Sequence, residues 1–233
     1  MKTNFSILTC AFGIAITSMM VSCSKNGDIE APLLKPATLA TSPASVGDSV
    51  VLDTINGTKG YLKTLATGVY GARNFHQGTV PDLVDTTQWS NPASTYYYSL
   101  SNNDGGNSGN WDFKFSGTAN ADFTVNTSKY TLSYTNTVFG SVTSGTSTTP
   151  ISGGTAGYNS LTGIGNSSSS GWYIYSIATH IMSSYQPRTY VLTPVGSGTK
   201  WKIKLNSVYK NETPNSGYAA TNYPFMSFDY SAL

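Results

Sequence analysis

Lys200-Trp201-Lys202-Ile203-Lys204-Leu205-Asn206 alternates strictly between polar and apolar side chains. Trp201, Ile203 and Leu205 fall on one face and Lys200, Lys202 and Lys204 on the other. A period of two is the pattern of a strand with one buried face. The lysines therefore read as a solvated face, and the apolar row points to a core. Gly196-Ser197-Gly198 just before it supplies a tight turn, and Arg188 to Thr193 reads as the strand entering that turn. Trp172 to Ile177 and Tyr223 to Tyr230 are further strands, with Pro224 near the start of the last, where a missing amide is tolerated.

The same pattern extends upstream. Trp111, Phe113 and Phe115 alternate with Asp112 and Lys114, and Thr95 to Leu100 is a tyrosine-rich strand. Between them, Ser101 to Asn110 is turn chemistry throughout. Asp122 to Ser128, Lys129 to Tyr134 and Ser49 to Ile55 add strands, while Gly60 to Tyr70 fits either a short helix or a strand. Gly71 to Pro92, which holds His76, reads as a long polar loop. Residues 140–171 are mostly Gly, Ser and Thr, too poor in large apolar groups to offset their own ordering entropy. They are expected to form a long loop without fixed structure, or a flap over a site. Strand after strand with little helix predicts an all-β domain of antiparallel, multi-stranded sheets. Trp111, Trp172 and Trp201, each in phase with apolar neighbours, are expected in its core.

The first 22 residues are of another kind. Lys2 is followed by an apolar run from Phe5 to Met20, then Val21-Ser22-Cys23. A charged start, a short apolar run and a small residue before the cut describe an export signal. A cysteine at the first mature position makes the segment look like a bacterial lipoprotein signal, with Cys23 acylated. The run is shorter than the ~20 residues a spanning helix needs, and Ser6, Thr9, Thr17 and Ser18 interrupt it. Two or more acyl chains, at about 0.8 kcal/mol per buried methylene, anchor firmly. The chain thus divides into a signal peptide (1–22), a lipidated N-terminus and flexible tether (23–47) and an all-β domain (48–233).

Composition narrows the function. Of 233 residues only 10% are charged, with a net charge of +2 and 16 tyrosines. There is no basic field to attract nucleic acid. Of the two cysteines, Cys10 leaves with the signal and Cys23 is lipidated, so the mature domain is built without disulfides or cysteine metal sites. No Gly-x-Ser-x-Gly elbow, His-Glu-x-x-His or phosphate loop occurs, and the carboxylates are scattered. The reading is a binding protein and not an enzyme.

The order of segments resembles the HmuY family of outer-membrane haem-binding lipoproteins. The likeness is carried by the lipoprotein signal, then by Tyr96-Tyr97-Tyr98-Ser99 followed by Trp111-Asp112-Phe113-Lys114-Phe115. It continues in Gly171-Trp172-Tyr173-Ile174-Tyr175, Thr179-His180-Ile181-Met182 and Arg188-Thr189-Tyr190-Val191-Leu192, and ends in the Lys200–Lys204 strand, Ser207-Val208-Tyr209-Lys210 and Phe225 to Tyr230. The resemblance implies an all-β fold, anchorage at the outer membrane, on a face it leaves open, and a haem held between two axial side chains. It further implies passage of haem to a TonB-dependent outer-membrane transporter.

Axial ligation needs imidazole or thioether donors. The mature chain offers His76, His180, Met182 and Met226. Ile177 stands where the family's ligand follows the Trp strand, and residues 116–170, where the other falls, hold neither His nor Met. The candidates here are His180 first, with Met182 and His76 as alternates. A surface lipoprotein that binds a glycan or a protein partner is the second reading, since tyrosines stack well on sugars.

Overall fold

The structure, a computed structural model, describes residues 43, 45–52, 57–78, 94–162, 166–214 and 224–233. The expected signal peptide, Cys23, nearly all of the tether and residues 79–92 of the expected Gly71 to Pro92 loop lie outside the described residues.

The described chain is all-β, in three sheets that are antiparallel but for one pair. The large sheet has eight strands. In spatial order these are β1 (Ser49–Val51), β2 (Lys59–Ala66), β3 (Val69–His76), β17 (Met226–Ala232), β16 (Trp201–Ser207), β15 (Thr189–Pro194), β8 (Tyr130–Thr135) and β9 (Thr149–Pro150). The middle sheet runs β10 (Thr155–Ala156), β7 (Asp122–Val125), β6 (Phe113–Ser116), β4 (Tyr96–Ser99) and β5 (Asp104–Gly105). The small sheet runs β12 (Asn166–Ser167), β11 (Tyr158–Thr162), β13 (Tyr173–Ser176) and β14 (Ile181–Ser184), with β11 parallel to β13.

The alternation explains the layering. Ile203 pairs with Tyr190 on one side and Tyr230 on the other, giving one continuous apolar row. That row and Phe228 meet the inner row of the middle sheet. Phe228 contacts Tyr98, Phe113 and Phe115 with ring centroids 4.9, 5.3 and 5.5 Å away. Phe75 of β3 is fully buried among the same rings. Aromatic pairs at such spacings add about 0.5–1.5 kcal/mol each beyond the area they bury, so this cluster binds the two sheets. Trp172 is buried and donates from Nε1 to the Ala121 carbonyl at 2.6 Å, tying the start of the small sheet to the middle one.

Four local expectations change. Gly60 to Tyr70 is strand on both sides of a turn at Thr67 and Gly68, and the polar loop that should hold His76 begins instead as β3, an eight-residue strand paired with β2 and β17. Segment 140–171 carries β9 to β12, because each short piece borrows a partner strand: β8, β7, or its neighbour in the small sheet. The lysine face is not simply solvated. Lys202 is buried, and its ammonium donates to the Phe139 and Val142 carbonyls at 3.0 and 2.9 Å. Lys200 donates to the Ser144 carbonyl at 3.1 Å. The 139–144 segment is thereby strapped across this face, where Val142 and Val191, the residue paired with Lys202, are also buried. Trp111 is not in the core. It lies half-exposed, edge-on to Tyr97 at 5.9 Å, with the Lys114 ammonium 5.3 Å from its ring.

Candidate functional site

The β13–β14 hairpin presents two of the expected residues. Tyr175 and Met182 are paired across it, so they share a face with Tyr173, two residues back along β13. The turn closes with the His180 amide donating to the Ser176 carbonyl at 2.8 Å. His180 sits there with φ +55°, in the left-handed region that few side chains occupy. Such strain in a non-glycine residue concentrates at functional sites. Its Nδ1 lies 2.9 Å from the Tyr175 hydroxyl. When Nδ1 carries the proton, the phenol oxygen accepts it, the ring is held in one tautomer, and coordination falls to Nε2. Both rings are half-buried, so the imidazole is oriented yet reachable.

Met182 packs against the core, and its amide donates to the Tyr209 hydroxyl at 2.9 Å. Its thioether is a packing group before it is a donor. His76 is elsewhere, at the end of β3 in the large sheet. Its Nδ1 lies 2.9 Å from the Tyr96 hydroxyl and 3.3 Å from the Pro224 carbonyl, and its ring stacks on Phe225 at 5.0 Å. Burial lowers its pKa below the ordinary value; the Pro224 carbonyl pulls the other way and Lys59 adds to the lowering. His76 is therefore a neutral imidazole walled in by aromatics.

The structure brings His180 and Met182 onto one hairpin and leaves His76 on another sheet; Cys23 lies outside the described residues. The donor set fits an iron held from one side, by His180 on its phenol support. It does not show the opposed pair that the resemblance implies. Among the described residues no three His, Cys, Asp or Glu side chains gather as a metal cluster, and no helix is long and apolar enough to cross a membrane.

Sequence reasoning missed the groups around this hairpin. Tyr158 of β11 stands opposite Tyr173. The Tyr173 hydroxyl is pushed up to about 12, first by burial and then by the negative charges of Asp122, Tyr158 and Tyr175 that face it. Asp122 is held above the ordinary carboxylate value by burial. The Tyr-x-Tyr spacing at 173 and 175, with a histidine five residues on, was a readable signal for a shared face. Nothing in the sequence placed Asp122 beside it.

A described cavity of about 360 Å³ lies away from this site, between the 128–130 turn and the Pro194–Gly198 turn. No protein-family model, curated protein or solved structure matches the chain. Fold and site together define a three-sheet, all-β protein with an oriented histidine at a half-exposed tyrosine-lined hairpin.

Proposed function

We propose that this chain is a lipid-anchored extracytoplasmic ligand-binding protein that takes haem at the β13–β14 hairpin and hands it to an outer-membrane transporter. It acts by binding and not by catalysis. The observation that carries the reading is the 2.9 Å contact between His180 Nδ1 and the Tyr175 hydroxyl. A second-sphere phenol that fixes the tautomer is what an imidazole ligand needs. Bound haem would supply the iron that accepts Nε2, and the half-buried Tyr173, Tyr175 and Met182 would supply apolar contact for a flat ring. The segment order resembling the HmuY family and the Cys23 signal support the same reading. Two measurements test it. Palmitate labelling should depend on Cys23 and vanish in Cys23→Ser. The purified protein should be retained on immobilised haem and released by free haem; a protein that flows through contradicts the reading.

A second reading, binding of a glycan, is favoured by a different observation. Tyr97, Lys114, Thr124 and Thr155 form one row across the outer face of the middle sheet, with Trp111 beside Tyr97. An aromatic ring next to hydroxyls and an ammonium suits a pyranose. Quenching of Trp111 fluorescence by a soluble oligosaccharide, lost in Trp111→Phe, would support it.

A further inference from the structure

Lys114 stands among neutral side chains on the outer face of the middle sheet. Its cross-strand partners are Tyr97 of β4 and Thr124 of β7. Directly paired side chains lie about 4.5–5.5 Å apart at Cβ. Its ammonium is 5.3 Å from the centre of the Trp111 ring, and that ring is edge-on to Tyr97 at 5.9 Å. Two half-exposed aromatic rings and a cation thus form one compact group. The other face of the same strands holds Tyr98, Phe113, Phe115 and Phe123, all fully buried, so these strands fill the core from that side.

The ammonium has no carboxylate of its own. Among the described residues the ion pairs join Arg73 to Glu212, Arg73 to Asp229 and Lys129 to Asp112. Asp112, two residues before Lys114, is engaged by Lys129 at 3.0 Å, and its other oxygen accepts the Leu100 amide at 2.7 Å. Asp104, opposite Ser99, is fully buried. Asp122 faces Ser116, one rung from the Lys114–Thr124 pair. Rungs on one face are about 6.5–7 Å apart along a strand, which sets Asp122 beside Ser116 and not beside the aromatic pair.

A cation next to aromatic rings offers two things at once. The rings take the C–H surface of a pyranose, and the ammonium is a point charge for an anionic group. A neutral sugar uses only the rings. A sugar carboxylate uses both, and a charge-assisted hydrogen bond is roughly twice as strong as a neutral one. Hydroxyls border the group: Thr124 and Thr155 bring their Oγ1 atoms within 3.0 Å of each other further along the same row. The exposed turn Asn107-Ser108-Gly109-Asn110 runs directly into Trp111.

We propose that this face selects acidic glycans: a uronate or sialate sugar stacks on the Trp111–Tyr97 pair and sets its carboxylate on Lys114 Nζ. Resting on the glycan reading, this selection names its ligand class; it uses neither His180 nor the haem hairpin.

The test is titration of the purified protein with trigalacturonate and with sialyllactose, each beside a neutral counterpart, the trigalacturonate methyl ester and lactose, followed by Trp111 quenching and calorimetry. At least one acidic sugar should bind about fivefold tighter than its counterpart, and the one that does identifies the source of the carboxylate. The preference should shrink as salt is raised. It should vanish in Lys114→Met and survive in Lys114→Arg and in Lys59→Met, which removes an exposed lysine of the large sheet. If Lys114→Met disturbs folding, the parent protein with trigalacturonate and its ester decides, because that pair differs at the carboxylate alone. Neutral sugars that bind as tightly as acidic ones, or a preference that Lys114→Met keeps, would overturn the selection and leave the glycan reading standing. Binding of none of the four would overturn both.

Discussion

The hydroxyls of Tyr98 and Tyr230 meet at 2.7 Å inside the core, joining the middle sheet to the large one. Tyr230 also donates to Asn103 Oδ1 at 3.0 Å, so the proton between the two phenols is that of Tyr98. Both rings are fully buried, and burial raises both phenols far above their ordinary value. The chain Tyr98 to Tyr230 to Asn103 is directional, and its two ends are not equivalent.

Tyr230→Phe should therefore destabilise more than Tyr98→Phe. Losing the Tyr98 hydroxyl removes one bond and leaves Tyr230 donating to Asn103, a cost of about 1 kcal/mol. Losing the Tyr230 hydroxyl strands the buried Tyr98 donor, a cost of about 1–3 kcal/mol. Urea unfolding of the two variants checks the order, and a reversed order would contradict it.

Arg188 is buried between the Tyr134 and Tyr185 rings, with its guanidinium carbon 4.3 and 4.5 Å from their centroids. Nε donates to Asn136 Oδ1 at 3.0 Å and an Nη to the Gly171 carbonyl at 2.6 Å. A lysine keeps the charge but has neither the plane nor the fork. Arg188→Lys should cost about 2–3 kcal/mol, read as a lowered unfolding midpoint. An unchanged midpoint would show that the stacked plane is dispensable.

His76 sets a pH dependence. Its pKa in the fold lies below 6.5, because burial disfavours the imidazolium and the nearby Lys59 adds to that. As pH falls, the unfolded chain takes up this proton first. The stability it supports is complete above about pH 6.5 and declines below it, until the folded imidazole also protonates. Melting temperatures at about pH 8 and about pH 5 should differ less in His76→Gln than in the parent protein. An equal difference in both would remove His76 from the account.

Lys202 straps the 139–144 segment to the large sheet through two carbonyls. Lys202→Met should release it: hydrogen exchange at the Ser141 and Val142 amides, which close the local 3-10 turn, should quicken by about tenfold or more. Lys200→Met, which loses one more exposed contact, should quicken it less. Equal effects would place the latch elsewhere.

How much of this was legible in the residues follows from where the pattern is local. The 201–207 strand, its partner at 189–194 and the aromatic strands at 96–99 and 113–116 announce themselves by alternation. β3 does not, because Arg73 and Asn74 interrupt its apolar phase and its burial comes from β2 and β17 on either side. Within 140–171, β9 and β10 are stabilised by strands earlier in the chain, β8 and β7, a kind of order composition cannot reveal. His180 was legible as a candidate, whereas its support by Tyr175 needed the hairpin register. Asp122 was invisible, since the space around its carboxylate is left by two glycines far apart in the chain, Gly117 just after β6 and Gly157 just after β10.

The central claim is that His180, oriented by Tyr175, meets a haem iron. The most direct measurement is the absorption spectrum of ferric haem titrated with the purified protein and with His180→Asn. Asparagine tolerates the left-handed backbone at this position, so the variant removes the imidazole and little else. The expected result is a shifted Soret band with the parent protein that is lost or strongly weakened with His180→Asn. An unshifted band in both oxidation states, or one that shifts equally with the variant, would contradict the account.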